Sequence, residues 1–98
     1  MSGQAAELVQ ELTATFKNWL EVNRRAIGED VYNRVVERLA MFSSAGSGAL
    51  ASFVLYAVYI AGTLCMSSIA NRDYSIDPES TDKLLRVVRK CLRHLLGE

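Results

Sequence analysis

Residues 49–70 have the sequence ALASFVLYAVYIAGTLCMSSIA. It carries no charged residue and is apolar around its whole circumference when drawn as a helix. A helix of that kind must be surrounded by protein or by lipid. We therefore expect it to form the centre of the fold. Because aspartate in a core position leaves an unpaired buried charge, a change of Leu55 or Val58 to aspartate should then unfold the domain.

Two amphipathic helices are predicted before this stretch. Residues 5–24 place an apolar side chain on one face at every turn and form the first. Gly28 ends it, and a second helical pattern leads to the small residues of 43–48. The first stripe consists of Leu8, Val9, Leu12, Phe16, Trp19 and Leu20, and the second consists of Val31, Val35, Leu39 and Phe42.

A fourth helix is predicted to follow the apolar stretch. Asp77 can act as its N-cap with Pro78 in the first turn, and it should end near Gly97. Basic side chains fall on its outer face and toward its C-terminus, where they suit the helix dipole. The predicted core stripe of this helix is Leu84, Leu85, Val88, Cys91, Leu92 and Leu95. The sequence thus predicts an all-α fold, a small bundle of about four helices around a central hydrophobic helix.

Length and composition restrict the function. The 98 residues fit one helical domain, residues 1–98, and half of them are apolar. Eleven basic and eleven acidic residues balance, so the basic excess of a nucleic-acid-binding protein is absent from the sequence. The N-terminus runs directly into an amphipathic pattern without the layout of a cleavable signal. We therefore expect a cytoplasmic location.

Catalytic and metal-binding patterns are weak. Cys65 and Cys91 lie within apolar helical patterns without CxxC spacing, so buried free thiols are expected. His94 follows Cys91 by three residues but has no further partner placed to complete a catalytic relay. We therefore predict that the chain is not an enzyme and binds neither a metal nor a cofactor.

Residues 35–57 resemble the first homology region of the Bcl-2 family of apoptosis regulators. In that family an amphipathic helix ends in Phe-Ser-Asp-Gly, and an Asn-Trp-Gly-Arg motif opens a central hydrophobic helix. Phe42 and Ser43 match the first motif and Gly48 matches the glycine of the second. Residues 62–72 and 78–96 resemble the end of the central helix and the sixth helix of the family. The resemblance implies a Bcl-2-like bundle and a shortened, divergent member, and shortened members are chiefly viral.

The resemblance also implies a site and a partner. Such a protein binds the amphipathic, death-motif helix of a partner in an apolar groove, and it acts in the cytoplasm or at intracellular membranes such as those of mitochondria. Ala49 occupies the position of the family's arginine, so binding should depend on apolar anchors. The expected partner-binding residues are Val35, Leu39, Phe42, Gly48, Leu50, Phe53 and Val54.

Other interpretations of the sequence stay open. Residues 49–70 are long enough to cross a membrane and could self-associate there, with Ala57 and Ala61 as close-packing positions. A domain of this size with so many apolar side chains is also expected to form a homo-oligomer, in which it shares its surface with a second copy. A helical subunit that oligomerises only because its own core is small is a further alternative. Residues 27–31 also resemble the core of a death motif, although Arg24 stands where that motif requires leucine, and a helix break followed by an N-cap explains the same residues.

Overall fold

The computed structural model describes residues 2–73 and 75–98, apart from the side chain of Ser2. It has four long helices: α1 (Ser2–Val22), α3 (Glu29–Ala45), α4 (Leu50–Ala70) and α5 (Pro78–Leu95). The one-turn helix α2 (Arg24–Ile27) and a 3-10 turn (Gly46–Ala49) link the first three of these. No strand occurs among the described residues. The prediction of an all-α fold with four main helices is confirmed.

The helix boundaries follow from local backbone chemistry. Gly28 adopts a φ of 86°, which favours glycine, and it separates α2 from α3 as the sequence predicts. Asp77 caps α5, because its carboxylate accepts a hydrogen bond from the backbone N–H of Ser80 at 2.7 Å. Pro78 occupies the first position of the helix, where a missing N–H costs nothing.

The centre of the bundle is α1 rather than α4. Helix α1 contacts α2, α3, the 3-10 turn, α4 and α5. Its predicted stripe is confirmed, since all six of its apolar residues are buried. Phe16 and Trp19 pack edge to face with 5.8 Å between ring centroids, and Phe16 stacks on Phe53 of α4. The prediction that residues 49–70 form the central helix is therefore wrong, because α1 is the helix that the others surround.

Helix α4 lies at the edge of the bundle and buries only one side. Its buried positions are Leu50, Phe53, Val54, Ala57, Ala61 and Ser68. Leu55 is 72 % exposed and Val58 is 46 % exposed, so neither lies in the core as the sequence analysis expected. The Cα atoms extend only 17 Å along the shortest axis of the molecule, which is about the thickness of two helix layers. Two layers cannot surround a helix on all sides.

Helix α5 also buries less than its sequence stripe predicted. Leu84, Val88 and Cys91 are buried against the core, whereas Leu85, Leu92 and Leu95 are exposed. Because α5 packs chiefly on α1, only the part of its wide apolar stripe that faces α1 is covered. Of the remaining leucines, Leu85 lines a groove that it shares with residues of α4.

A candidate binding surface on helix α4

The exposed side of α4 is a continuous, uncharged strip. Its residues follow one another at alternating intervals of three and four, which is the spacing of a seam between two packed helices. Leu55 is 72 % exposed, and Tyr59 and Met66 are each 67 % exposed. We call this strip the α4 face, and it consists of Ser52, Leu55, Tyr59, Gly62, Met66 and Ile69.

Gly62 lies in the middle of the α4 face and has no role in the packing of its own chain. A Cβ atom at this position would meet nothing within 4 Å, and the residue sits in a regular helix. Glycine inside a helix costs about 1 kcal/mol relative to alanine. The fold of this chain does not require glycine there, and the absence of a side chain leaves room for another backbone to approach closely.

The molecule exposes more surface than a monomer of its size. The accessible area is 6266 Å² for a chain of 10.9 kDa. The scaling of area with mass predicts about 5600 Å² for a folded monomer, which leaves an excess of about 700 Å². That excess is close to the roughly 800 Å² that each partner buries in a typical specific interface.

A shallow groove continues the α4 face toward α5. The groove has a volume of about 510 Å³ and lies between the C-terminal half of α4 and the start of α5. It shares Ile69 with the α4 face, and its polar rim includes Asp82, which pairs with Arg86 at 2.8 Å. The residues that line it are Cys65, Ser68, Ile69, Ile76, Pro78, Thr81, Asp82 and Leu85. We call this the α4–α5 groove.

The partner-binding residues predicted from the sequence lie elsewhere. Five of them, Val35, Leu39, Leu50, Phe53 and Val54, are buried in the core with at most 2 % of their surface exposed. The half-buried Phe42 stacks on Phe53 with 4.9 Å between ring centroids. While the helices stay packed, these five side chains offer a partner almost no contact area. As a binding site they stay a prediction, and in this structure they hold the helices together.

Gly48 is the one exposed residue among the predicted partner-binding residues. It is exposed in the 3-10 turn, and a Cβ atom there would meet nothing within 4 Å. Its expected role in partner binding therefore stays a prediction. Gly62, which the sequence did not single out, is equally open and lies inside a long helix.

The thiols are shielded by the fold. Cys91 is fully buried as predicted, and burial raises its pKa to about 11. Cys65 is half-buried at the α4–α5 groove, and burial raises its pKa as well. Both thiols are therefore protonated at neutral pH, which makes them poor nucleophiles. Among residues 2–73 and 75–98, no group of three or more His, Cys, Asp or Glu is placed to hold a metal ion.

Charged side chains gather at the corner between α1 and α3, away from the α4 face. Arg24 pairs with Glu29 at 2.8 Å and with Glu21 at 3.4 Å, and its guanidinium lies 4.0 Å from the centre of the Tyr32 ring. Tyr32 donates a hydrogen bond to Glu21. The hydrogen bond with Glu29 raises the pKa of Arg24. These exposed pairs position the chain around Gly28, which supports the interpretation of residues 27–31 as a helix break.

By length and composition, one helical segment of the described chain could also cross a membrane. The segment falls within residues 29–70, where the most apolar window has a mean hydropathy of 1.9. Only 28 % of that window is buried in the fold. The core helix of a soluble protein can pass the same test of length and composition.

Comparisons with protein-family models, with curated proteins and with solved structures find no match for this chain.

Proposed function

We propose that this chain is a protein-interaction module that binds an amphipathic helix of a partner along the α4 face. The observation that carries the proposal is the exposed, uncharged seam of α4, with its alternating spacing of three and four residues. Exposed apolar patches of several hundred Å² mark interaction sites in soluble proteins. The α4 face exposes four large apolar side chains, Leu55, Tyr59, Met66 and Ile69, each by more than half of its surface.

A helix is the form of partner that suits this surface. Leu55 and Tyr59 project from successive turns, and Met66 projects two turns further along. Apolar anchors at i, i+3, i+4 and i+7 of a second helix would fit between them. Gly62 lets the partner backbone approach closely at the centre of the seam. The α4–α5 groove can receive a further anchor at the end of the partner helix.

The partner class is taken from the resemblance to the Bcl-2 family. Death-motif helices carry apolar anchors at the required spacing, together with an aspartate that the family's arginine binds. Ala49 stands at the arginine position, and residues 50–70 carry no charge. Binding should therefore rest on apolar contacts and respond weakly to salt. Regulation of cell death and a viral origin belong to this proposal as consequences of the resemblance.

The direct test is a titration of fluorescent death-motif peptides against the purified chain, read by fluorescence anisotropy. We expect at least one peptide to bind with a Kd below about 10 µM, which corresponds to about −7 kcal/mol. Leu55→Glu should weaken binding at least roughly tenfold, because it places a charge in the seam. Val22→Glu is the matched control, since Val22 is also exposed, at 52 %, but lies at the end of α1.

Two results would contradict the proposal. If no peptide binds below about 10 µM, the helix-binding function is wrong for this ligand class. If binding survives Leu55→Glu but is lost in Gly48→Glu, the partner uses the junction predicted from the sequence rather than the α4 face.

Insertion of residues 49–70 into a membrane is the second candidate function. The hydropathy of this segment and the exposure of its apolar side favour it. Co-sedimentation of the purified chain with phosphatidylcholine vesicles, with and without anionic lipid, tests this alternative. A chain that pellets with vesicles and binds no peptide would be a membrane protein.

A further inference from the structure

We propose that, without another partner, the α4 face is covered by a second copy of this chain in a two-fold symmetric dimer whose α4 helices cross at Gly62. The inference rests on the proposed function, because it takes the α4 face as a protein-binding surface and names its occupant. Three properties of that face support a second copy.

The first property is its charge. In a two-fold interface each subunit contributes the same patch, so any charge near the axis meets an identical charge. Residues 50–70 contain no charged side chain, and a seam built from them meets itself without repulsion. Other exposed surfaces lack this property, because α5 presents Arg89 and Arg93 beside its exposed Leu92. The α4 face is therefore compatible with itself.

The second property is area. The chain exposes about 700 Å² more than its mass predicts for a monomer, and a specific dimer buries roughly 800 Å² on each subunit. Covering the α4 face with a copy of itself would bring the exposed area of each subunit close to the value expected for its mass.

The third property is shape. Gly62 lies midway along the seam, with two of the large exposed side chains on either side: Leu55, Tyr59, Met66 and Ile69. Helices that cross at a glycine approach closely, and the larger residues on both sides then interlock across the crossing. The open space around Gly62 is where the second α4 would lie.

Such a dimer would also regulate the binding of a partner helix. The second copy and a partner helix would use the same seam, so a partner must displace one subunit before it binds. The apparent affinity for a partner would then fall as the concentration of the chain rises. Self-association would keep the apolar seam covered until a partner is present.

Sedimentation equilibrium tests the dimer over a concentration range of about 1 to 200 µM. We expect the wild-type chain to shift from monomer to dimer within that range. Leu55→Glu and Gly62→Leu should each weaken the dimer at least roughly tenfold, the first by adding a charge and the second by filling the crossing point. Val22→Glu should dimerise as the wild type does. Circular dichroism should show unchanged helicity in all variants, and Ser52→Glu replaces Leu55→Glu if that variant fails to fold.

The outcomes separate this inference from the proposed function. A wild-type chain that stays monomeric at about 200 µM, or a Leu55→Glu variant that still dimerises, overturns the inference. A monomer that binds death-motif peptides overturns the dimer and leaves the proposed function standing. A dimer that binds no peptide supports the inference and overturns the partner-helix function. A monomer that binds only vesicles overturns both.

Discussion

Asn23 shows at the scale of one residue how the ends of α1 and α5 are joined. Its amide nitrogen donates to the carbonyl of Trp19 at 2.8 Å and to the hydroxyl of Ser80 at 3.3 Å. Its amide oxygen accepts from the backbone N–H of Asp77 at 2.7 Å. The residue is 2 % exposed, so these hydrogen bonds replace water. Asn23 thus fixes the turn that positions the start of α5.

Asn23→Ala should lower the free energy of unfolding by about 2–4 kcal/mol, because it leaves buried polar groups without partners. Urea unfolding followed by circular dichroism measures this change. Asn18→Ala is the matched control, since Asn18 is an exposed asparagine of α1, the helix that ends just before Asn23, and its effect should stay within about 0.5 kcal/mol. Equal unfolding midpoints for the two variants would show that the Asn23 network adds nothing to stability.

Asp77 makes stability depend on pH. The hydrogen bond from the backbone N–H of Ser80 lowers the pKa of Asp77, and the hydroxyl of Ser68 lowers that of Asp73. A carboxyl whose pKa is lower in the folded state stabilises the fold above its unfolded pKa of about 3.9. That stability is lost as the pH falls from about 4 through the folded-state value.

Asp77→Asn should therefore reduce the loss of folding stability between about pH 4 and pH 2. Asparagine is also a good N-cap, so stability near neutral pH should change little. Urea midpoints measured between about pH 7 and pH 2 give the comparison. If the urea midpoints of the wild type and of Asp77→Asn fell in parallel with pH, a lowered pKa of Asp77 in the folded state would be contradicted.

Within helix α4, a charge introduced on the buried side should destabilise the domain, whereas a charge on the exposed side should not. Ala57 is 1 % exposed, so Ala57→Asp should destabilise the domain by about 3 kcal/mol or more, because the carboxylate has no partner in the core. Leu55→Asp should leave the domain folded, with a loss of about 1 kcal/mol or less. Thermal unfolding at low micromolar concentration, where self-association contributes little, distinguishes the two. A lower melting temperature for Leu55→Asp than for Ala57→Asp would refute this assignment of sides.

The same contrast shows what the sequence could predict about the elements. Periodic apolar residues gave the six core positions of α1 correctly, because a helix with one apolar stripe has only one face to bury. The cap at Asp77 and the break at Gly28 were also predictable, since each depends on neighbouring residues. Residues 49–70 carry no such stripe, so their pattern could not say which side the core would cover.

The exposed positions of the α4 face were not predictable, because they depend on how distant helices pack. Phe53 and Val54 are as apolar as Leu55, and only the packing of α1 against α4 decides that the first two are buried. Gly48 and Gly62 are both glycines among small or apolar residues in the sequence. Only the fold shows that Gly48 lies in the 3-10 turn and Gly62 lies inside α4. The hydrogen bonds of Asn23 join residues more than 50 positions apart, which no local pattern reveals.

At the scale of the whole molecule, the arrangement around α1 leaves the most apolar helix at the surface. The molecule measures 43 × 26 × 17 Å, and its two-layer thickness gives α4 one buried side and one open side. The molecule has excess exposed area, and its open side carries no charge. A second protein surface packed on that side would cover the excess area without burying a charge.

We claim that protein covers the α4 face, and the oxidation of two methionines provides the test. Met66 lies on the α4 face and is 67 % exposed, whereas Met41 lies on α3 and is 62 % exposed. Hydrogen peroxide should oxidise both at similar rates in dilute chain, as read by mass spectrometry of their peptides. In concentrated chain, or with a bound death-motif peptide, the claim predicts that Met66 oxidises several-fold more slowly while Met41 keeps its rate. Equal rates for Met66 and Met41 under all of these conditions would contradict it.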